Sequence, residues 1–373
     1  MTVQTESLYI HFPFCEKKCH YCDFYSLSRP TVATEEVGRF IGALKQEILN
    51  SSDYMCCKEL KTIFLGGGTP TMLNADHIER AVEPLLNFLP ETSDNTEWTI
   101  EANPSSITLD KLKAYLKLGI NRISIGVQSL DPKILSWLGR LHTKEKALNA
   151  VAMAFDAGFT NVSVDLLCGI PNQPLKTLEK TFLELLKFPI VHISCYLLTL
   201  GADHKLSHEL PDTDEQLKHF LWVHNFLNKN GFEHYEVSNF ALNGWNCRHN
   251  LTYWKGLSYL GLGPSSHSFD SKSKRRWKNF SSLDRYNTAL LTGESPIEWA
   301  EKLTSNQLHL EKWMLALRLG EGFPISWLSE KQKIIVSALE KDGFIEEHPS
   351  VPSNKRLTSK GLAISDQIVI SLV

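Results

Sequence analysis

The sequence predicts an α/β fold: a partial (β/α)6 barrel followed by a smaller helical domain. Three observations carry this. A short β-rich run, a loop and a helical pattern recur six times over the N-terminal two-thirds. Glycine or polar residues stand where the apolar strands end. Past the glycine-rich Gly261-Leu262-Gly263-Pro264 and a basic loop near 271–278, the pattern becomes helical. At 373 residues the chain fits one large barrel with an appendage rather than one small domain.

Taken in order, strands are expected at 8–12, 61–65, 97–101, 122–126, 161–166 and 191–197. Helices are expected near 33–51, 74–88, 108–118, 131–157, 174–187 and 212–230. Asn74, Thr108 and Asp131 read as helix starts, with Pro132 at the first helical position. Gly119, Gly158 and Gly231 each follow a helical run and precede a strand, as glycines past a helix end do. Alternation at this spacing means parallel strands with right-handed crossovers. Six units rather than eight leave a partial barrel, closed on one side by something else. Farther on, 305–319, 325–329 and 330–342 read as helices. A Pro-containing hairpin follows between Phe344-Ile345-Glu346 and Arg356-Leu357-Thr358, and a last helix comes after Ser359-Lys360-Gly361. The expected domains are a barrel over 1–240, a connecting region over 241–300 and a C-terminal domain over 301–373.

Composition narrows the function. Hydrophobic residues at 42% and charged residues at 22% are ordinary for a globular protein. A net charge of −3 gives no sign of a cationic nucleic-acid binder, and Lys272-Ser273-Lys274-Arg275-Arg276 reads as solvated loop. No apolar run is long enough to cross a bilayer, and no secretory pattern precedes the first strand. Eight cysteines, three of them tightly grouped, point to a reducing cytoplasm. Cys56, Cys57, Cys168 and Cys195 fall in helix or strand patterns as packing residues.

The three grouped cysteines are Cys15, Cys19 and Cys22, a C-x3-C-x2-C run on the loop after the first strand. An odd cluster is a poor disulfide framework. Structural zinc asks for four ligands, for which His20 or His11 is the candidate fourth. An iron–sulfur cube takes one cysteine per iron, so three would leave one iron open to something that is not protein. Buried thiols of no chemical consequence are the third alternative. In (β/α) barrels function gathers at the C-terminal ends of the strands. Those ends carry the cysteine loop, Gly66-Gly67-Gly68-Thr69, Glu101, Gln128 and Asp165. The glycine run lets backbone approach a ligand or makes a tight turn. Glu101 can accept hydrogen bonds from ribose hydroxyls or an ammonium, and Arg140 can grip a carboxylate.

The cysteine run, with Tyr9-Ile10-His11 before it and Tyr21-Cys22-Asp23-Phe24 in and after it, resembles the radical S-adenosylmethionine (SAM) superfamily. Gly66 through Thr71, Gly126-Val127-Gln128-Ser129, Asp165 through Pro171 and Tyr235 through Phe240 make it similar to the oxygen-independent coproporphyrinogen III oxidase group. The resemblance implies a radical-SAM-type barrel and a [4Fe–4S] cluster on Cys15, Cys19 and Cys22. SAM would chelate the open iron and accept an electron from the cluster, which itself needs an electron donor. Implied SAM contacts are Tyr9, Tyr21, Gly68, Thr69, Glu101, Gln128, Arg140 and Asp165.

Two departures from the oxidases stand out: Phe24 replaces a further cysteine, and only a few residues precede Tyr9. Both resemble the HemW-type haem chaperone branch, as does His249-Asn250-Leu251-Thr252-Tyr253-Trp254, an H-N-x-x-Y-W motif. That resemblance implies haem carried to a haemoprotein acceptor, with His249 a candidate iron ligand, Cys247 a softer one, and Tyr253 and Trp254 against the macrocycle. The competing reading is an enzyme that decarboxylates coproporphyrinogen III. The C-terminal segment resembles a winged helix. Glu330 and Glu340 on its reading helix favour a protein-contact or lid role over DNA, so no nucleic-acid partner is expected. A homodimer is left open.

Overall fold

The structure, a computed structural model, describes residues 5–55, 60–86 and 95–373. The expectations for Cys56 and Cys57, and for the last turn of the 74–88 helix, lie outside the described residues. All six expected strands form: β1 Ser7–Phe12, β2 Thr62–Gly67, β3 Glu97–Ala102, β4 Arg122–Gln128, β5 Asn161–Cys168 and β6 His192–Leu197. The chain divides into two compact units. The first holds Met1–Asp165, Thr181–Ile190 and Leu257–Lys302, and the second Leu166–Lys180, Val191–Gly256 and Leu303–Val373.

In the first unit β1 pairs in parallel with β2 from Ser7–Thr62 to Phe12–Gly67. β2 pairs likewise with β3, and β3 with β4. Strand order thus follows chain order, the winding of a barrel and not of a doubly wound sheet, which reverses at a switch point. A late segment, Leu260–Leu262, lies parallel to the other side of β1. One face of these strands is apolar and fully buried, with Leu8, Ile10, Phe12, Ile63, Leu65, Ile100, Ile123 and Ile125, and on the other face Ser7, His11, Thr62, Thr99, Arg122 and Ser124 are buried as well. The Thr34–Asn50 helix buries Val37, Phe40, Ile41, Leu44 and Ile48, the stripe an amphipathic helix turns to a core.

That stripe also includes a carboxyl. Glu47 accepts from Gly263 N at 2.7 Å, Tyr286 Oη at 2.6 Å and Asn279 Nδ2 at 2.5 Å, tying the 257–302 segment to the first helix.

Among the barrel helices one expectation is corrected. The single helix over 131–157 is two, Pro132–Trp137 and Lys144–Ala157. Asp131 caps the first through Lys133 N and Ile134 N, and Thr143 caps the second through Lys146 N. Gly139, at φ 74, turns the chain between them in a conformation that side chains disfavour. The apolar periodicity runs through the break and hides it. The break puts Arg140 and His142 on a loop.

In the second unit β6 pairs antiparallel with Asn239–Ala241, which pairs antiparallel with Glu233–Glu236. The C-terminal part follows its expected order. Helices Ser305–Ala316 and Glu330–Lys341 flank a short 3-10 turn at Ile325–Trp327. Strands Ile345–Glu347 and Asn354–Leu357 form the hairpin, and Phe323–Pro324 joins it as a third strand. The last helix is broken at Ile364 into Ser359–Ala363 and Ser365–Leu372. Trp313, Leu317, Phe323, Val336, Ile345, Leu357 and Ile368 share one apolar core. Cys168 and Cys195 are buried. Among the described residues no helix is long and apolar enough to cross a membrane.

Candidate functional site

Within the buried strands of the first unit a few positions remain partly open. Besides Asn161 at the start of β5, they are Tyr9 on β1, Phe64 and Gly67 on β2, Glu101 on β3, Gly126 and Gln128 on β4, and Asp165 on β5. Register aligns them: Tyr9 lies beside Phe64, and Glu101 beside Ser124. The rings of Tyr9 and Phe64 stack at 6.2 Å. Gly67, Glu101, Gln128 and Asp165 lie toward the C-terminal ends of their strands, where a barrel keeps its chemistry.

The cysteine loop is seated on the glycine run. Gly68 N donates to Phe12 O at 2.8 Å and Thr69 N to Phe14 O at 2.7 Å. A Cβ on Gly68 would stand 2.7 Å from Phe14 O, and one on Gly67 would enter the His11 ring. The sequence left a ligand approach and a tight turn as the two reasons for glycine. The structure shows a nearer one: the second strand end must lie flush against the first. Thr69 Oγ1 meets Cys15 Sγ at 3.5 Å, and burial pushes the Cys15 and Cys22 thiols up. Metal coordination removes such protons outright.

His11 is unsuited to be a fourth zinc ligand. Its Nε2 donates to Tyr25 O at 2.8 Å and its Nδ1 accepts from Tyr9 Oη at 3.0 Å, so both nitrogens are engaged. Burial lowers its pKa to about 4, which keeps it neutral. His20 Nδ1 bonds Trp137 O at 3.1 Å, docking the 137–141 loop on the cysteines. Among the described residues no group of three or more His, Cys, Asp or Glu is placed to hold a single metal ion.

Arg140 reaches the same place from that loop. Nη1 donates to Cys19 Sγ at 3.3 Å and Nη2 to Gly126 O at 2.7 Å, while Nε is buried with no hydrogen-bond partner among the described residues. Burial pulls its pKa down, and the charges of Tyr21 and Cys19 outweigh that, for a net rise. Tyr21 is itself pushed up, chiefly by burial. A guanidinium enclosed beside thiols, with an unspent donor, is suited to an anionic ligand.

Glu101 supplies a buried carboxyl that takes up the opposite charge when a cation lies beside it. Its Oε2 accepts from Gly67 N at 3.1 Å. Burial and then repulsion from Asp165 raise its pKa to about 8. Asp165 Oδ1 accepts from Ser124 Oγ at 3.0 Å. The fold therefore brings Tyr9, Tyr21, Gly68, Thr69, Glu101, Gln128, Arg140, Asp165 and the three cysteines into one unit. Sequence reasoning missed Ser124 and His142, neither of which has a distinguishing local pattern.

His249 belongs to the second unit, on the short helix Arg248–Trp254 rather than on a loop. It is 1% exposed, and its Nε2 meets Tyr253 Oη at 2.7 Å. Cys247 is buried too, its backbone N donating to Tyr235 Oη at 3.2 Å. Tyr253 and Trp254 are partly exposed.

Parallel strands wound in chain order, with a three-cysteine loop at the first strand's end, define a radical SAM protein, and residues 9–185 match the Radical SAM superfamily model. Heme chaperone HemW of Bacillus subtilis (strain 168) is 32% identical over 374 residues, covering 98% of this chain and 95% of that one. Heme chaperone HemW of Escherichia coli (strain K12) is 35% identical over 264 residues, 70% of this chain and 69% of that one. The chain belongs to the HemW family. Among solved structures, the radical SAM enzyme coproporphyrinogen III oxidase (HemN) from Escherichia coli has the same fold, with a TM-score of 0.81 at 21% identity over 100% of this chain and 91% of that one.

Proposed function

We propose that this protein is a haem chaperone of the radical SAM type: it holds a [4Fe–4S] cluster and SAM, binds haem and passes it to a haemoprotein. The observation that carries the reading is similarity along almost the whole chain to a heme chaperone, HemW of Bacillus subtilis (strain 168). Phe24 supports it over the oxidase alternative. At 67% exposed, this ring stands on the cysteine loop where the oxidases carry a further sulfur.

Cys15, Cys19 and Cys22 would hold the cluster, which when bound supplies one electron to the SAM sulfonium. The chain's own residues do the positioning. Arg140 offers a cation beside Cys19, and Glu101 an acceptor two strands away from β1. An amino acid's carboxylate and ammonium are the complementary pair. Tyr9 and Phe64 give a flat apolar wall. Among the described residues the Arg140 Nε proton has no other partner, and a ligand carboxylate would satisfy it.

Glu101→Ala and Arg140→Ala are expected to weaken SAM binding to the cluster-loaded protein by roughly ten- to a hundred-fold, the loss of a charge-assisted hydrogen bond of about 1.5–3 kcal/mol. Iron content should not change. Titration calorimetry with SAM checks this, and parental affinity in both variants would move the pocket elsewhere. For haem, His249 is the proposed iron ligand, under a condition that the geometry sets: its Nε2 must exchange the Tyr253 hydroxyl for iron.

A further inference from the structure

At the end of β4 the backbone takes a shape its residue disfavours. Gln128 has φ 64, a region that a side chain enters at a steric penalty. Ser129 N donates to Val127 O at 2.8 Å, closing a three-residue ring around Gln128. Turns of this kind with positive φ at the centre are rare and strained. Strain of this sort persists only where the surroundings over-determine it, and it collects at ligand sites.

Two side chains from the loop between the split helices supply the restraint. Arg140 Nη2 holds Gly126 O at 2.7 Å, and His142 Nε2 holds Val127 O at 3.0 Å. The Val127 carbonyl thus accepts from both the turn and the imidazole. A carbonyl only accepts, so Nε2 carries the ring's proton. Nδ1 is buried without a partner among the described residues, as the bare nitrogen of that tautomer. His142 is 3% exposed. Burial first and Arg140 second hold its pKa at about 4, so the donor is in place throughout the neutral range.

We infer that His142 is a positioning residue, holding the strained turn that presents Gln128 to SAM. The inference rests on the SAM site proposed above. It separates His142 from a residue that merely fills space, because it ties His142's effect to the strain at position 128. Glycine adopts positive φ freely, so a glycine there needs no restraint.

The experiment is SAM titration of the cluster-loaded full chain, with thermal unfolding measured on the same samples. Parent, His142→Leu, His142→Asn (too short to reach Val127), His142→Gln, Gln128→Gly and Gln128→Gly with His142→Leu are compared. His142→Leu and His142→Asn are expected to weaken SAM binding about tenfold. His142→Gln, whose amide can donate to Val127 O, should recover most of it. In the Gln128→Gly background, adding His142→Leu should cost less than twofold. Parental affinity in the leucine or asparagine variant would overturn the inference. So would an equal loss in both backgrounds, which marks a general structural effect. If the parent binds SAM while these outcomes appear, only His142's role fails. If the parent binds no SAM, the site reading fails and takes this inference with it.

Discussion

Cys19→Ala removes the iron–sulfur spectrum completely and leaves the fold in place. Two thiolates cannot hold three irons of a cube, so the loss should be total rather than graded. Cys19 sits on a partly exposed loop, and the buried residues of β1 to β4 do not depend on it. Its Sγ is also the acceptor for Arg140 Nη1, so the guanidinium loses one anchor and keeps Gly126 O. Anaerobic reconstitution followed by absorption, iron and sulfide assays, and far-ultraviolet circular dichroism checks both halves. Stoichiometric tetrahedral zinc in the parent, with no cluster after reconstitution, would contradict the expectation.

Glu47→Ala has the next largest effect, on stability. The carboxyl is 5% exposed, and its removal leaves Gly263 N, Tyr286 Oη and one bond of Asn279 Nδ2 without their acceptor. Buried donors left unsatisfied cost about 1–3 kcal/mol each, and about 3–5 kcal/mol is expected in all at pH 5. The pH dependence has a definite sign. Burial raises the folded pKa of Glu47 to about 7 from an ordinary 4.5, against three hydrogen bonds that lower it. The folded protein therefore keeps a proton that the unfolded chain releases. This contribution is full at acid pH and declines as pH rises from about 4.5 to about 7. Urea unfolding of parent and variant at pH 5 and pH 8 should show the gap narrowing at the higher pH. A gap that widens would mean the carboxyl is ionised in the fold and stabilised by its donors.

Much of this was legible in the sequence because the barrel strands are buried on both faces. Ile-Phe-Leu at 63–65 and Ile-Ser-Ile at 123–125 can hardly be anything else between helical stretches. The candidate site was legible for the complementary reason: Glu101, Gln128 and Asp165 are polar residues that end apolar runs. What stayed hidden depends on contacts distant in the chain. Nothing local says that Arg140 meets Cys19, 121 positions away, or that Glu47 meets Tyr286 across 239. The break between Trp137 and Lys144 was masked because Leu138 and Leu141 continue the apolar period of the flanking helices. Gly67 and Gly68 were read as a ligand approach or a tight turn, and their packing against Phe14 O and the His11 ring, from the first strand and its loop, had no local signal. His249 was read as a candidate iron ligand, with no intramolecular partner assigned to its ring. A four-residue helical spacing instead places Tyr253 over it, a contact that the motif contains but does not announce.

As a haem chaperone, this chain is proposed to carry haem and not to make its precursor. The direct test is one anaerobic incubation of the cluster-loaded protein with SAM, a one-electron donor, coproporphyrinogen III and haem, followed by transfer to an apo-haemoprotein. Haem should be bound and handed on and coproporphyrinogen III left unchanged, with a shifted haem spectrum or slower transfer in His249→Ala while iron and SAM binding stay intact. Sustained, SAM-dependent formation of protoporphyrinogen would contradict it.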